Sequence, residues 1–235
     1  MIAAIMQPYL LPYIGYFQLI AAADVFVIYD DVQYMRGGWI NRNRILLNGA
    51  PHWLTLPVEH SGALRTQIRD TRYQLTEANL RKLSGQLDAA YRKAPMAKAV
   101  RPLLEAILAT RDPNVGAFNA AAIGAVCQVL GIGTKIVRAS EIGRDTTLTG
   151  QEAVIDMCRR LGANHYVNAA GGVDLYQPQP FAEQGLKLSF IKSEAPAYRQ
   201  FAEPFVANLS IADVLMFCGP DQLAEQMAAY SLAAA

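Results

Sequence analysis

Two adjacent carboxylates, Asp30 and Asp31, close an apolar run and open YDDVQYMRGGWINRNRI (Tyr29–Ile45), the densest stretch of chemically capable residue types in the chain. A carboxylate pair at a strand end can take a proton from an attacking amine or hydroxyl. Such a pair could also hold a metal through water, but no metal site is assigned. Gln33 adds an amide, and Trp39 a flat apolar surface on which a sugar or base could stack, although tryptophans near hairpins more often anchor a core. In NRNR the alternation is read as sending Arg42 and Arg44 to opposite strand faces, so only one serves a site. Arg42 is chosen, as a planar fork able to grip a diphosphate in bidentate fashion, with Asn41 beside it.

A second group lies in QPYLLPYIGY (Gln7–Tyr16), where a strand passes through two prolines into a helix. Gln7, Tyr9 and Tyr13 crowd that entrance, and Gly15 lets the backbone approach an anion closely. The plainer alternative is that Pro8 and Pro12 stiffen a turn while the tyrosines cover the sheet edge. Nucleotidylyl transferases and class I synthetases carry His-x-Gly-His at this position. Tyr13-Ile14-Gly15-Tyr16 lacks both histidines, so the likeness to them is topological and their chemistry does not carry over. A third group is Asn168 with Gly171 and Gly172, a strand end followed by amides that could cradle a carboxylate or phosphate. Lys192 ends a later strand, and Arg199 lies on an irregular segment where it could close over a phosphate. His165 reads as structural; His52 and His60 have no visible partner for a triad.

The elements that must position these groups follow from pattern. Ile2–Met6 and Val25–Tyr29 read as buried strands around a helix at Ile14–Ala22, a parallel strand–helix–strand unit that gathers ligands at strand carboxyl ends. Asn48-Gly49 signals a β-hairpin. Helices are expected at Thr76–Tyr91, Ala97–Ala109 and Pro113–Leu130, the last capped by Asp112. Alternation resumes with a strand at Lys135–Arg138, a helix opened by Thr149 and Glu152 and stopped by Gly162, strands at His165–Asn168 and LKLSFIK, and two helices, the first capped by Ser210. The Ala-rich end is expected to fray. This is one α/β domain over residues 1–235, a mostly parallel sheet flanked by helices, with a β-hairpin and a mainly helical segment at about 76–131.

A net charge of +1 provides no field for nucleic acid or acidic membrane. No apolar run reaches the ~20 residues of a membrane span and the N-terminus lacks signal-peptide character, so a cytoplasmic location is expected. Cys127, Cys158 and Cys218 are widely spaced within apolar stretches and read as core thiols.

Taken together, QPYLLPYIGYFQLI, DVFVIYDDVQY, WINRNRILLNG, YVNAAGGVDLY and ANLSIADVLMF resemble the WbqC-like protein family over nearly the whole chain. Departures are small: Ala207 where the family commonly has proline before Asn-Leu-Ser, and Cys218 where it often has asparagine. The resemblance implies a place in O-antigen-type surface-polysaccharide biosynthesis. A transferase is therefore expected, moving an acyl or aminoacyl group to a nucleotide-linked amino sugar, with Asp31 or Asp30 as general base and an acyl or aminoacyl carrier as a further partner; no cofactor is assigned. The alternatives are a nucleotidylyl transferase of related topology and a non-catalytic sugar-nucleotide-binding protein.

Overall fold

Short apolar runs alternate with helical periods through most of the chain, and the computed structural model, which describes residues 1–59 and 66–235, arranges them around one sheet. The first half contains β1 (Ile2–Met6), α1 (Ile14–Ala21), β2 (Val25–Ile28), β3 (Arg42–Leu47), β4 (Ala50–Thr55), α2 (Glu77–Tyr91), α3 (Ala97–Leu108) and α4 (Val115–Val129). The second contains β5 (Lys135–Arg138), α5 (Ala139–Ile142), α6 (Gly150–Leu161), β6 (His165–Ala169), α7 (Pro178–Glu183), β7 (Lys187–Ser193), α8 (Ile211–Phe217), α9 (Pro220–Ala228) and β8 (Tyr230–Ala234). Strand order across the sheet is β5-β2-β1-β6-β7-β8, parallel except for β8. The chain builds outward from β1 through β2 to β5, then returns to the other side of β1 as β6. That reversal is a doubly wound topology, whose ligand crevice lies beyond the carboxyl ends of the two strands at the switch. Here those are β1 and β6, so Gln7 and Asn168 flank the switch point.

Both faces of the sheet are covered, as a parallel sheet requires. Ala4, Phe26, Ile28, Val167 and Ile191 pack with α1, α3, α4 and α8 on one face. Their neighbours Ala3, Ile5, Val25, Val27, Tyr166 and Leu188 turn to the other face, against Met157 and Cys158 of α6 and Phe181 of α7. Period-two alternation thus feeds two cores from the same strands. β3 and β4 stand apart as an antiparallel hairpin. Its turn, Asn48 and Gly49, has φ of 53° and 76°, the two left-handed residues a type I′ turn demands.

Three expectations at element ends are corrected. Asn114, not Asp112, caps α4 by accepting from the Ala117 amide at 2.9 Å, while Asp112 accepts from the Asn114 amide one turn earlier. Thr149 precedes α6 without a side-chain cap. The C-terminal YSLAA does not fray but forms β8, antiparallel to β7 from Ser189↔Ala234 to Ser193↔Tyr230. Its small residues add an edge strand through backbone hydrogen bonds, which leave no trace in the side-chain pattern.

Candidate functional site

The connection from β1 to α1 is held by buried side chains from three distant elements. Asn43 of β3, only 3% exposed, donates from Nδ2 to the carbonyls of Leu10 and Leu11 at 3.1 and 2.9 Å. Asn119 of α4 donates to the Pro8 carbonyl at 3.0 Å. Ser210 donates from its hydroxyl to Leu11, and the Ile211 amide donates to the Pro12 carbonyl, each at 2.8 Å. Leu11 sits at φ 43°, a left-handed conformation unfavourable to leucine, and these bonds over-determine it. The pinned loop also explains the tyrosines: Tyr16 is buried and donates to the Gln7 carbonyl, whereas Tyr9 and Tyr13 remain half-buried and face a cleft. Gly15 is required because any Cβ there would run into the Tyr13 ring.

That cleft, of about 330 Å³, is lined by Tyr9, Pro12, Tyr13, Trp39, Asn43, Arg44 and Asn208. Burial pushes the Tyr9 and Tyr13 hydroxyls above their ordinary pKa, so both rings present neutral donors at physiological pH. The Arg44 guanidinium lies 5.7 Å from the Trp39 ring centroid, and Trp39 in turn packs on Trp53 at 5.4 Å. Arg44 makes one long bond, 3.4 Å, to the Asn208 carbonyl; its Nε is buried without a partner, and among the described residues no carboxylate pairs with it. A cation, two phenols, an indole face and an amide at one concavity can hold an anion attached to a sugar or planar ring.

The remaining expected residues are distributed as follows. Residues i and i+2 of a strand share a face, so the expectation that Arg42 and Arg44 point apart is corrected: Arg42 lies over Trp53 of β4, Arg44 over Trp39 ahead of β3, and these two rings pack on each other. Arg42 lies 4.1 Å above Trp53 and donates to the Gly37 and Gly38 carbonyls, which occupies it structurally. Asn41 donates to the Leu56 carbonyl at 3.1 Å. Asp30 is fully buried, accepting from the Ser140 amide and hydroxyl at 3.0 and 2.7 Å, with Gly116 of α4 against its Cβ. Asp31 pairs with Arg144, Nε to Oδ2 2.6 Å, the two side chains 2% and 5% exposed. Neither aspartate is among the residues lining the cleft. Asn168 is buried with its Nδ2 over Gly172, where a Cβ could not fit, so this amide already occupies part of the expected glycine cradle. Gly171 shares that 3₁₀ turn, Ala170–Leu175. Gln33 forms an isolated bridge with Gln67, Lys192 is exposed and 3.9 Å from Glu194, and Arg199 is exposed. His60 lies outside the described residues.

Sequence reasoning passed over Arg44 and Asn208 as site residues. Both had a signal: the two-residue period of NRNR for the first, the ANLS segment for the second. It also missed Asp213, a fully buried carboxylate that accepts from Tyr91, Tyr198 and Gln200 at 2.9, 2.7 and 2.8 Å and ties the 198–200 segment to α8. Among the described residues no cluster of His, Cys, Asp and Glu could hold a metal ion.

A doubly wound sheet with an aromatic and basic cleft against its first strand-to-helix connection defines an α/β protein with a ligand-sized site. The chain belongs to the WbqC-like protein family, whose model matches residues 7–225. A curated relative in Mycobacterium tuberculosis, "Uncharacterized protein Rv1507c", is 30% identical over 227 residues, 94% of this chain and 96% of the relative. No solved structure matches the chain significantly.

Proposed function

We propose that this protein is a transferase of O-antigen-type surface-polysaccharide assembly that binds a nucleotide-linked amino sugar in the Tyr9–Trp39–Arg44 cleft. The observation that carries the reading is Arg44, a cation that pairs with no carboxylate among the described residues, held beside three aromatic rings. A diphosphate supplies the charge-assisted acceptors that Arg44 lacks. The rings supply faces for the sugar or base. The place in surface-polysaccharide biosynthesis that the family resemblance implies supports the substrate class, the chain matching that family over residues 7–225.

In the reaction proposed, the sugar amine attacks the carbonyl carbon of an acyl or aminoacyl thioester. The C–N bond forms, the C–S bond breaks, and the amine's proton leaves with the thiolate as a free thiol. Asp30 then acts by positioning, since Ser140 engages both its oxygens, and Asp31 is held by Arg144 through Oδ2, its buried Oδ1 being without a partner among the described residues.

Trp39 and Trp53 are the chain's two tryptophans, so intrinsic fluorescence reports on this region directly. Titration with uridine-diphosphate glucosamine is expected to change that emission saturably, and adding a butyryl thioester to give thiol release that depends on the sugar. An unchanged emission at millimolar ligand would remove the cleft from sugar-nucleotide binding. Saturable binding without thiol release for any thioester offered would favour a non-catalytic binding protein. The doubly wound topology also suits nucleotidylyl transfer, which pyrophosphate release in the presence of magnesium would reveal.

A further inference from the structure

A second cavity, of about 220 Å³, shares Asn208 with the cleft. Pro12 and Tyr13 line the cleft, and the next residue, Ile14, lines the second cavity, so the two spaces flank the entrance of α1. We infer that this second cavity binds a small uncharged acyl group and that Asn208 stands between two substrates. The inference rests on the reading above in calling the neighbouring cleft the sugar site and in taking an acyl group as the second substrate.

The walls differ from those of the cleft in charge, as a neutral and an anionic substrate would require. Ile14, Ala195, Phe205, Leu209 and Val214 give apolar surface, Ser193, Asn208 and Gln226 give neutral polar groups, and among the described residues no charged one lines the space. Tyr198 also lines it, but its hydroxyl is committed to Asp213 at 2.7 Å. Arg44, which pairs with no carboxylate among the described residues, lines the cleft and not this cavity. A free carboxylate or phosphate would therefore enter the second cavity with no cation to offset its lost hydration, whereas a neutral thioester can bury its short alkyl chain on the apolar walls and turn its carbonyl to the neutral polar ones. Its volume falls below the range usual for drug-sized ligands, which suits a short acyl group. Asn208 itself sits at φ 57°, where asparagine is among the few side chains tolerated and glycine would be free of strain. An amide is thus kept at the divide at some conformational cost, within reach of ligands on both sides.

The test uses S-butyryl-N-acetylcysteamine as the neutral probe and butyrate as its anionic counterpart, titrated by saturation-transfer NMR with no sugar nucleotide present. The thioester is expected to bind wild-type protein, and butyrate to bind at least about tenfold more weakly. Ala207 lines the second cavity but not the cleft and is exposed, so Ala207→Leu and Ala207→Phe plug the space from outside with little risk to the core. Graded loss of thioester binding across these two variants, with unchanged thermal unfolding, is expected. Asn208→Gly keeps the left-handed backbone while removing the amide and is expected to weaken both thioester and uridine-diphosphate glucosamine. Thioester binding that ignores both plugs, butyrate binding as well as the thioester, or no thioester binding at millimolar concentration would each overturn the inference. Thioester binding without any sugar-nucleotide binding would keep this cavity and sink the reading of the cleft; the reverse pattern would do the opposite.

Discussion

Arg42 and Arg44 stand two residues apart on one strand face, yet they differ in what their guanidinium groups have left to bind. Arg42 is committed to the Gly37 and Gly38 carbonyls and to the Trp53 ring; Arg44 has a buried Nε without a partner and one long bond. Arg44→Lys is expected to weaken uridine-diphosphate glucosamine by roughly ten- to a hundredfold, the 1.5–3 kcal/mol of a hydrogen bond to a charged group, since an ammonium cannot reproduce the planar fork. Arg42→Lys should leave affinity within about threefold, less than 1 kcal/mol, and act on hairpin stability instead. Calorimetric titration of both variants decides this, and equal losses would return Arg42 to the site. Asp213 offers a separate residue-scale test. Burial raises its pKa above 3.8, with the bonds from Tyr198, Tyr91 and Gln200 opposing that shift. From 3.8 up to the raised folded value the unfolded chain has lost this proton while the folded chain keeps it, so unfolding releases a proton and stability falls as pH rises through that window. Asp213→Asn should remove this contribution, which urea unfolding of both proteins from pH 4 to 7 would register as a difference that narrows toward low pH. A pH-independent difference would mean that Asp213 is ionised throughout. The three cysteines join neither site: burial pushes Cys127 and Cys158 up to about 12 and Cys218 up to about 11, so alkylation of the native protein at neutral pH should be negligible.

At the scale of elements, the parallel strands, the hairpin and the long helices were legible because each carries its period or turn signal in its own residues. The site was legible only in part, because its geometry depends on bonds between elements far apart in sequence. Tyr9, Tyr13 and Trp39 could be picked out by type, but that Asn43 would reach back to the β1–α1 connection could not be read from spacing. The partners of Asp30 and Asp31 were hidden for the same reason, since nothing local announces Ser140 and Arg144. Asn43 is where hairpin and loop become one unit. Asn43→Ala leaves the Leu10 carbonyl without this buried donor, while Leu11 keeps the Ser210 hydroxyl, and at ~1–3 kcal/mol for an unsatisfied group the loss should be of that order. Ligand affinity should fall with it, because Tyr9 and Tyr13 ride on that loop. Chemical denaturation combined with fluorescence titration checks both effects; a stable protein with intact binding would mean that Asn119 and Ser210 hold the loop unaided.

Across the whole molecule, the carboxyl edge of the sheet is tied together by one buried ion pair. Arg144 follows α5 and reaches the end of β2, donating to the Asp31 carboxylate and backbone carbonyl and also to the carbonyls of Asp145 and Leu148 ahead of α6. The second half of the chain is thereby fastened to the first at the edge where the β1–α1 connection must keep its shape. Such a pair gains little over a well-packed apolar substitute, but removing one member leaves an uncompensated charge in the core. Arg144→Met is therefore expected to destabilise by about 3–5 kcal/mol, which for a chain of this size lowers Tm by roughly 6–20 °C. The double variant Asp31→Leu with Arg144→Met removes both charges and should recover a large part of that loss. Differential scanning calorimetry of the single and double variants is the measurement. A double variant no more stable than Arg144→Met alone would show that the bonds from Arg144 to the backbone, rather than its pairing with Asp31, hold the two halves of the sheet edge together.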